Sequence, residues 1–200
     1  DHSWGVRYEV GHKPTDMMPG IDSRDLPMHL LWSPMRFTKD DGSQYSIHHF
    51  YLDIPGYGHT FHGGIEYADG TRIPFVDLEP ALEYDPMNRR LKGGELRFIQ
   101  EDGKARTLGV EVLADTGFHL GAGLYFGYKG FNHGCWRGEL HVDGDYVANC
   151  AEPGAARDLH QLRDCIVKVN DNGTTGFAVY QTIVNGGWPA LNLGAEDSFL

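Results

Sequence analysis

The residues best suited to chemistry stand at the start of the chain, which reads Asp1-His2-Ser3-Trp4-Gly5. On a β-strand, His2 and Trp4 point to the same face because they are two residues apart, and Val6 and Tyr8 continue that face. A histidine among aromatic side chains can donate or accept a proton near neutral pH, and an indole face can stabilise a passing cation. We predict that His2 and Trp4 are catalytic and that Asp1 tunes the imidazole. The alternative is a core histidine beside a packing tryptophan.

Further histidines occur as His48-His49 and as His59-x-x-His62. Imidazole nitrogens are ligands for Zn²⁺ and Fe²⁺, so these residues were weighed as a metal site. On a strand, however, adjacent residues face opposite sides, and residues three apart also diverge. We therefore predict no metal site, and we expect surface or partly buried histidines. Within this region, His49 and Asp53 are predicted to contact a substrate.

An aromatic and glycine-rich stretch covers residues 125–137. Backbone segments can approach closely where glycine occurs, so Asn132 and His133 are candidates for the mouth of a pocket. A glycine-rich loop packed by its own aromatic side chains is the alternative. The complete set of predicted substrate-binding residues is Tyr8, His49, Asp53, His133, Trp136 and Tyr180.

The elements that must position these residues are strands. Apolar and polar residues alternate with a period of two over residues 2–10, 76–84, 118–126 and 136–143. Dipeptides typical of hairpin turns separate such runs, namely Asp41-Gly42, Asp69-Gly70, Asp102-Gly103, Asp143-Gly144 and Asn172-Gly173. We predict one all-β domain over residues 1–200, with about ten antiparallel strands in a lipocalin-like barrel or a strongly curled sandwich.

Composition excludes several classes of function. The chain has 28 acidic and 17 basic residues and a formal net charge of −11, so it should repel nucleic acid. No apolar run approaches the roughly 20 residues of a transmembrane helix. Cys135, Cys150 and Cys165 have no CxxC spacing and are expected to be reduced thiols of a cytoplasmic protein, although a Cys135–Cys150 bridge is an alternative. The sequence also lacks a Gly-x-Ser-x-Gly elbow and a dinucleotide-binding fingerprint.

The opening Asp1-His2-Ser3-Trp4-Gly5 resembles the Asp-His-x-Trp-Gly motif of the carotenoid hydratase (hydroxyneurosporene synthase) superfamily. The segments 133–138 and 160–164 are similar to a bacterial branch of that group. This resemblance implies two lipocalin-like barrel halves, of which the chain is mainly the C-terminal one, with an N-terminal half-domain as its partner. It also implies roles for His2 and Trp4 in activity. The Tyr-x-Asp of the following strand has no counterpart in residues 28–37, so either Asp1 or Asp53 supplies the acid or another reaction is catalysed.

These observations favour a cofactor-independent acid/base enzyme that acts on an apolar, isoprenoid-like or polycyclic substrate. His2 would protonate an alkene, and Trp4 and Tyr8 would shelter the developing positive charge until hydration, isomerisation or cyclisation follows. The rival hypothesis is a non-catalytic, lipocalin-like carrier of a small hydrophobic ligand. A third is a half-domain that only braces an active site elsewhere.

Overall fold

The computed structural model describes residues 27–115, 139–140 and 163–194. These residues form eight strands, β1 (Met28–Thr38), β2 (Gln44–Ile54), β3 (Gly58–Tyr67), β4 (Arg72–Tyr84), β5 (Leu91–Gln100), β6 (Ala105–Asp115), β7 (Arg163–Asp171) and β8 (Thr174–Asn185). A short 3-10 helix covers Pro189–Leu191. In this part of the chain no helix is long and apolar enough to cross a bilayer.

Each strand pairs antiparallel with the next, and β8 pairs with β1, which closes the sheet into a barrel. The side-chain alternation decides which face is inside. In β1, for example, His29, Leu31 and Ser33 are buried, and Trp32 between them is exposed. Such a two-residue period gives most of the strands one buried face. The inner face carries large apolar side chains, including Leu31, Phe37, Ile47, Leu78, Phe98, Val167 and Val169.

Local turn chemistry explains four of the eight strand pairings, namely β1–β2, β3–β4, β5–β6 and β7–β8. Asp41, Asp69 and Asp102 each accept a hydrogen bond at Oδ1 from the backbone N–H two residues later. The glycine after each aspartate has φ of +81°, +87° and +79°, a conformation that glycine adopts without strain. Between β7 and β8, Asn172 and Gly173 both have positive φ, as a two-residue hairpin turn requires.

The prediction of an all-β antiparallel barrel is confirmed, but the barrel has eight strands rather than about ten. The predicted strands at 2–10 and 118–126 lie outside the described residues. The alternation over residues 76–84 and 136–143 predicts Val76 and Leu140 on the buried face, and both predictions are wrong. Val76 is 52% exposed because the β4–β5 register shifts by one residue between Phe75 and Asp77, which turns Val76 outward. Leu140 is 86% exposed and lies in a bend, not in a half-buried strand.

The barrel has two rims. The first rim is the end at which β1, β3, β5 and β7 begin, and the second rim is the opposite end. A polar network lies inside the second rim. There, Tyr45 donates to Asp171 Oδ2 at 2.5 Å, and Arg106 Nε lies 3.0 Å from both carboxylate oxygens. Phe37 stacks on Tyr45 with 4.8 Å between ring centroids. These contacts pack the second rim, so the remaining polar groups of the interior concentrate towards the first rim.

Candidate functional site

The side chains that could take part in acid/base chemistry lie on the inner face of the barrel, from its middle to the first rim. His29 comes at the start of β1, and Asp53 near the end of β2 is its register partner. Their strands run antiparallel, so the beginning of one meets the end of the other. Tyr84 is the last residue of β4 and lies at the same rim, and Trp188 follows the end of β8 there. Four separate elements therefore contribute to one region.

The first polar pair of this region is His29 with Tyr84. His29 Nε2 lies 3.0 Å from Tyr84 Oη, within hydrogen-bonding distance. The imidazole is 3% exposed and meets Tyr51 edge-on at 5.8 Å and Trp188 at 5.7 Å between ring centroids. Desolvation by burial lowers the pKa of His29 to about 4, and burial raises the pKa of Tyr84 well above its ordinary value. At neutral pH both partners are therefore uncharged.

The second pair is His49 with Tyr180, deeper in the barrel. His49 Nε2 lies 3.1 Å from Tyr180 Oη, and the imidazole meets the edge of Phe98 at 5.4 Å between ring centroids. Burial, with a smaller contribution from His48, lowers the pKa of His49 to about 3. His49 Nδ1 is buried and has no hydrogen-bond partner among the described residues. A neutral imidazole keeps one donor and one acceptor, so this nitrogen is free to bind a further polar atom.

The two pairs belong to one cluster. Burial raises the pKa of Tyr180, and the nearby Tyr84 and Cys165 add to the increase. Cys165 Sγ in turn lies 3.6 Å from the backbone oxygen of Tyr180. The buried apolar residues of the core surround these groups. Two uncharged imidazole–phenol pairs thus share a desolvated interior, where each hydrogen bond is stronger than it would be in water.

A more exposed group lies nearer the rim. Tyr51 donates to Asp53 Oδ2 at 3.4 Å, and the ring of His59 stacks on Tyr51 with centroids 5.2 Å apart. His59 Nε2 lies 2.7 Å from Asp77 Oδ1 on β4. Burial, followed by the charge of Asp53, raises the pKa of the Tyr51 hydroxyl. This group links the strands β2, β3 and β4 at the mouth of the barrel.

Among the residues predicted from sequence, the structure brings His49 and Tyr180 into direct contact. It places Asp53 at the first rim, half-buried, with Tyr51 as its hydrogen-bond partner rather than His49. The remaining predicted residues lie outside the described part of the chain, namely Asp1, His2, Trp4, Tyr8, His133 and Trp136.

Sequence reasoning missed His29, Tyr84 and Tyr51. A signal for His29 was present, because it begins the alternating series that continues through Leu31 and Ser33 on the buried face of β1. The partner of His29 could not be found in this way. Tyr84 is 55 positions away along the chain, and only barrel closure sets the distance between them.

The histidines weighed as metal ligands lie apart. His48 is exposed on the face opposite His49, as the alternation predicts, and His62 is also exposed. Within residues 27–115, 139–140 and 163–194, the structure contains no group of three or more His, Cys, Asp or Glu side chains that could hold a metal ion. Among the described residues, the buried polar atoms without a hydrogen-bond partner in this region include His49 Nδ1 and the side-chain amide of Asn185 at the end of β8.

Residues 1–190 match the profile of a protein family described as a family of unknown function (DUF8625). The chain belongs to this family. No curated protein matches the DUF8625 chain. Among solved structures, it is similar to kievitone hydratase from Nectria haematococca, with 10% sequence identity and a TM-score of 0.38. The alignment covers 79% of the DUF8625 chain and 40% of the hydratase, so the chain spans less than half the length of that protein. A likeness this distant does not transfer an activity.

Proposed function

We propose that the barrel binds one small, largely apolar molecule through an oxygen atom and transforms it by acid/base chemistry without a cofactor. The observation that carries this proposal is His49, a fully buried imidazole whose Nε2 contacts Tyr180 and whose Nδ1 has no partner among the described residues. An unpaired polar atom in a protein interior costs about 1–3 kcal/mol. A ligand hydroxyl or carbonyl at Nδ1 would recover that cost.

The tautomer of His49 determines which ligand group can bind at Nδ1. If a ligand hydroxyl donates to His49 Nδ1, the proton of the imidazole lies on Nε2, which then donates to Tyr180 Oη. If Nδ1 carries the proton instead, it donates to a ligand carbonyl, and Tyr180 donates to Nε2. A shift between the two tautomers moves a proton from one side of the ring to the other. From the second arrangement, Nδ1–H can pass to the ligand as the Tyr180 O–H proton passes to Nε2, so Tyr180 becomes the phenolate, the ligand is protonated and the ring stays uncharged; the reverse transfer restores both partners.

Such a relay suits hydration, isomerisation or cyclisation of an isoprenoid-like or polycyclic substrate, as in the carotenoid hydratases that residues 1–5 resemble. In this proposal His2 protonates an alkene, with Asp1 tuning it, and Trp4 shelters the cation. Tyr8, Asp53, His133 and Trp136 line the substrate site. The same resemblance is the basis for proposing an N-terminal half-domain as partner, and the sparse cysteines favour a cytoplasmic protein.

A carrier is the second candidate, and the low pKa of both imidazoles favours it. With pKa values of about 4 and about 3, His29 and His49 are not imidazolium ions at neutral pH, so neither ring can act as a cationic acid toward a substrate. Neutral imidazoles bind a hydroxyl group without reacting with it. The two candidates therefore predict the same ligand preference but a different fate for the bound molecule.

Binding is tested first with 2-naphthol and naphthalene, which differ by a single hydroxyl group. We expect 2-naphthol to bind at least about tenfold more tightly, because a hydrogen bond to an otherwise unpaired buried group is worth one to a few kcal/mol. In His49→Phe this preference should vanish, and in the exposed control His62→Phe it should persist. Equal affinities of the wild-type protein for both probes would refute the proposed site.

Catalysis is tested by incubation with isoprenoid alcohols and alkenes in D₂O, followed by mass spectrometry. Proton transfer to carbon leaves deuterium in the substrate or product, so the enzyme hypothesis predicts a mass increase and the carrier hypothesis predicts an unchanged ligand. We expect His2→Ala and Trp4→Ala to abolish deuterium incorporation and to leave binding of 2-naphthol largely intact. Normal turnover by both variants would remove these two residues from the mechanism.

A further inference from the structure

The barrel has eight pairs of neighbouring strands. Seven of them are paired along most of their length, and the pair of β3 with β4 is the exception. Its pairing extends only from Glu66–Arg72 to Gly63–Phe75. Beyond that point β3 continues as residues 58–62, paired with β2 alone, and β4 continues as residues 76–84, paired with β5 alone. We call this unpaired region the β3–β4 gap. It lies on the side of the first rim, where the candidate site is found.

The sequence explains why the two strands separate there. The register shift at Val76 inserts an extra residue into β4, and such a bulge bends and twists a strand. Gly63 and Gly64 mark the last paired positions of β3. A Cβ on Gly63 would lie 2.9 Å from the backbone oxygen of His48, so the backbones approach too closely here for a side chain. Pro80 lies in the part of β4 that pairs with β5 but not with β3, and a proline is expected at such an edge because it has no N–H group.

One described side-chain hydrogen bond spans the gap. His59 Nε2 on β3 lies 2.7 Å from Asp77 Oδ1 on β4, with the two side chains 40% and 38% exposed. The Asp77 oxygen also accepts a hydrogen bond from the N–H of Leu78 at 2.8 Å. On the other strand, the ring of His59 is held by stacking on Tyr51. The contact is thus anchored on both sides but faces solvent, where such a pair contributes little stability.

On the inner side of the contact between His59 and Asp77, the barrel is lined by aromatic side chains. Phe61, on the gap side of β3, has its ring 6.3 Å from that of Phe98, and Phe98 has its ring 5.4 Å from that of His49. Phe75, at the last paired position of β4, stacks on Phe98 at 4.7 Å. An uncharged molecule that passed between β3 and β4 would meet these rings and then the unpaired nitrogen of His49.

We propose that the β3–β4 gap is the route by which small apolar molecules reach the barrel interior, and that the contact between His59 and Asp77 is its latch. As a ligand route this rests on the proposed function. Among the described residues, no backbone hydrogen bonds join the strands there, so separating them breaks one solvent-exposed side-chain hydrogen bond. A latch of this kind sets the rates of uptake and release equally and leaves the equilibrium affinity unchanged.

The decisive test reads access to the interior without needing the natural ligand. Cys165 is buried on the inner face of β7, so the rate at which methyl methanethiosulfonate modifies it, followed by peptide mass spectrometry, reports how often a small uncharged molecule enters. His59→Phe keeps a ring to stack on Tyr51 and removes the bond to Asp77. We expect it to raise the modification rate at least fivefold at unchanged free energy of unfolding.

The matched control is Glu66→Gln. Glu66 pairs with Arg72 at 3.0 Å across the same two strands, but in their paired part, so its loss should change the rate less than twofold. Asp77→Ala breaks the latch from the other strand and should act like His59→Phe. If both latch variants label Cys165 at the wild-type rate, or if Glu66→Gln accelerates labelling as much as they do, the proposal is overturned.

Stopped-flow binding of 2-naphthol separates this proposal from the proposed function. In His59→Phe, the association and dissociation rates should rise together, and the dissociation constant should stay the same. Absence of naphthol binding in every variant, together with faster Cys165 labelling in the latch variants, would refute the proposed function and leave the gap as an access route. A changed dissociation constant at wild-type rates of labelling would show that His59 binds ligand and does not gate the barrel.

Discussion

Replacing His49 by phenylalanine should make the protein less sensitive to acid. In the folded state burial lowers the pKa of His49 from 6.5 to about 3, whereas in the unfolded chain the imidazole is solvated and keeps its ordinary value. Above pH 6.5 neither state binds a proton at this residue, so there is no penalty. Below pH 6.5 the unfolded chain takes up a proton that the folded state excludes, and stability falls until the pH reaches the folded pKa.

The size of the effect follows from that difference. Each pH unit below 6.5 corresponds to about 1.4 kcal/mol, so at pH 5 the wild-type protein should have lost about 2 kcal/mol through His49 alone. His49→Phe should lose about 2 kcal/mol less than wild type between pH 7 and pH 5. Phenylalanine is close in size to the imidazole, and it leaves the Tyr180 hydroxyl without its present partner at both pH values, so that cost cancels in the comparison.

Urea unfolding at pH 7 and at pH 5, followed by tryptophan fluorescence, measures this difference. His62→Phe is the control for the replacement of a histidine by phenylalanine, because His62 is exposed on a neighbouring strand. If His49→Phe loses as much stability as wild type on acidification, His49 is not a desolvated imidazole. The reasoning about the buried pair with Tyr180 would then be wrong.

Two further predictions concern the scaffold, and urea unfolding midpoints check both. Gly94→Ala should destabilise the barrel by more than about 4 kcal/mol or prevent folding, because φ is +127° and a Cβ would lie 2.3 Å from a backbone oxygen. Gly103→Ala, at φ +79° in open space, should cost only about 1–2 kcal/mol, and an equal loss in both variants would contradict this steric account. Asp171→Ala should cost about 3 kcal/mol by leaving the half-buried Arg106 without its carboxylate, and a loss below about 1 kcal/mol would show that the second-rim network contributes little.

The interior of this protein combines an apolar core with a few uncharged polar pairs. This combination would allow it to bind an apolar ligand and to transfer a proton. A charged imidazole could not be buried at the positions of His29 and His49 without a large cost, so the fold itself keeps both rings neutral. A neutral imidazole beside a phenol can bind or relay a proton but does not store one. This is why ligand fate, rather than ligand affinity, distinguishes the enzyme from the carrier.

Local chemistry in the sequence determined the strands and their hairpins. An aspartate or asparagine followed by glycine fixes a turn within a few residues, and the two-residue alternation then assigns most side chains to a face. For this reason the antiparallel all-β fold and the opposite orientations of His48 and His49 could be predicted. The bulge at Val76 could not, because a one-residue register shift depends on how β4 fits β5 and leaves no mark in the alternation.

The candidate site was decided only by the tertiary structure. His49 and Tyr180 are 131 positions apart and His29 and Tyr84 are 55 apart, yet each pair is within hydrogen-bonding distance. The alternation shows which way each side chain points, but it carries no information on how far apart two inward groups lie across the barrel. Strand stagger, closure between β1 and β8, and the separation of β3 from β4 set those distances, and all three are properties of the assembled sheet.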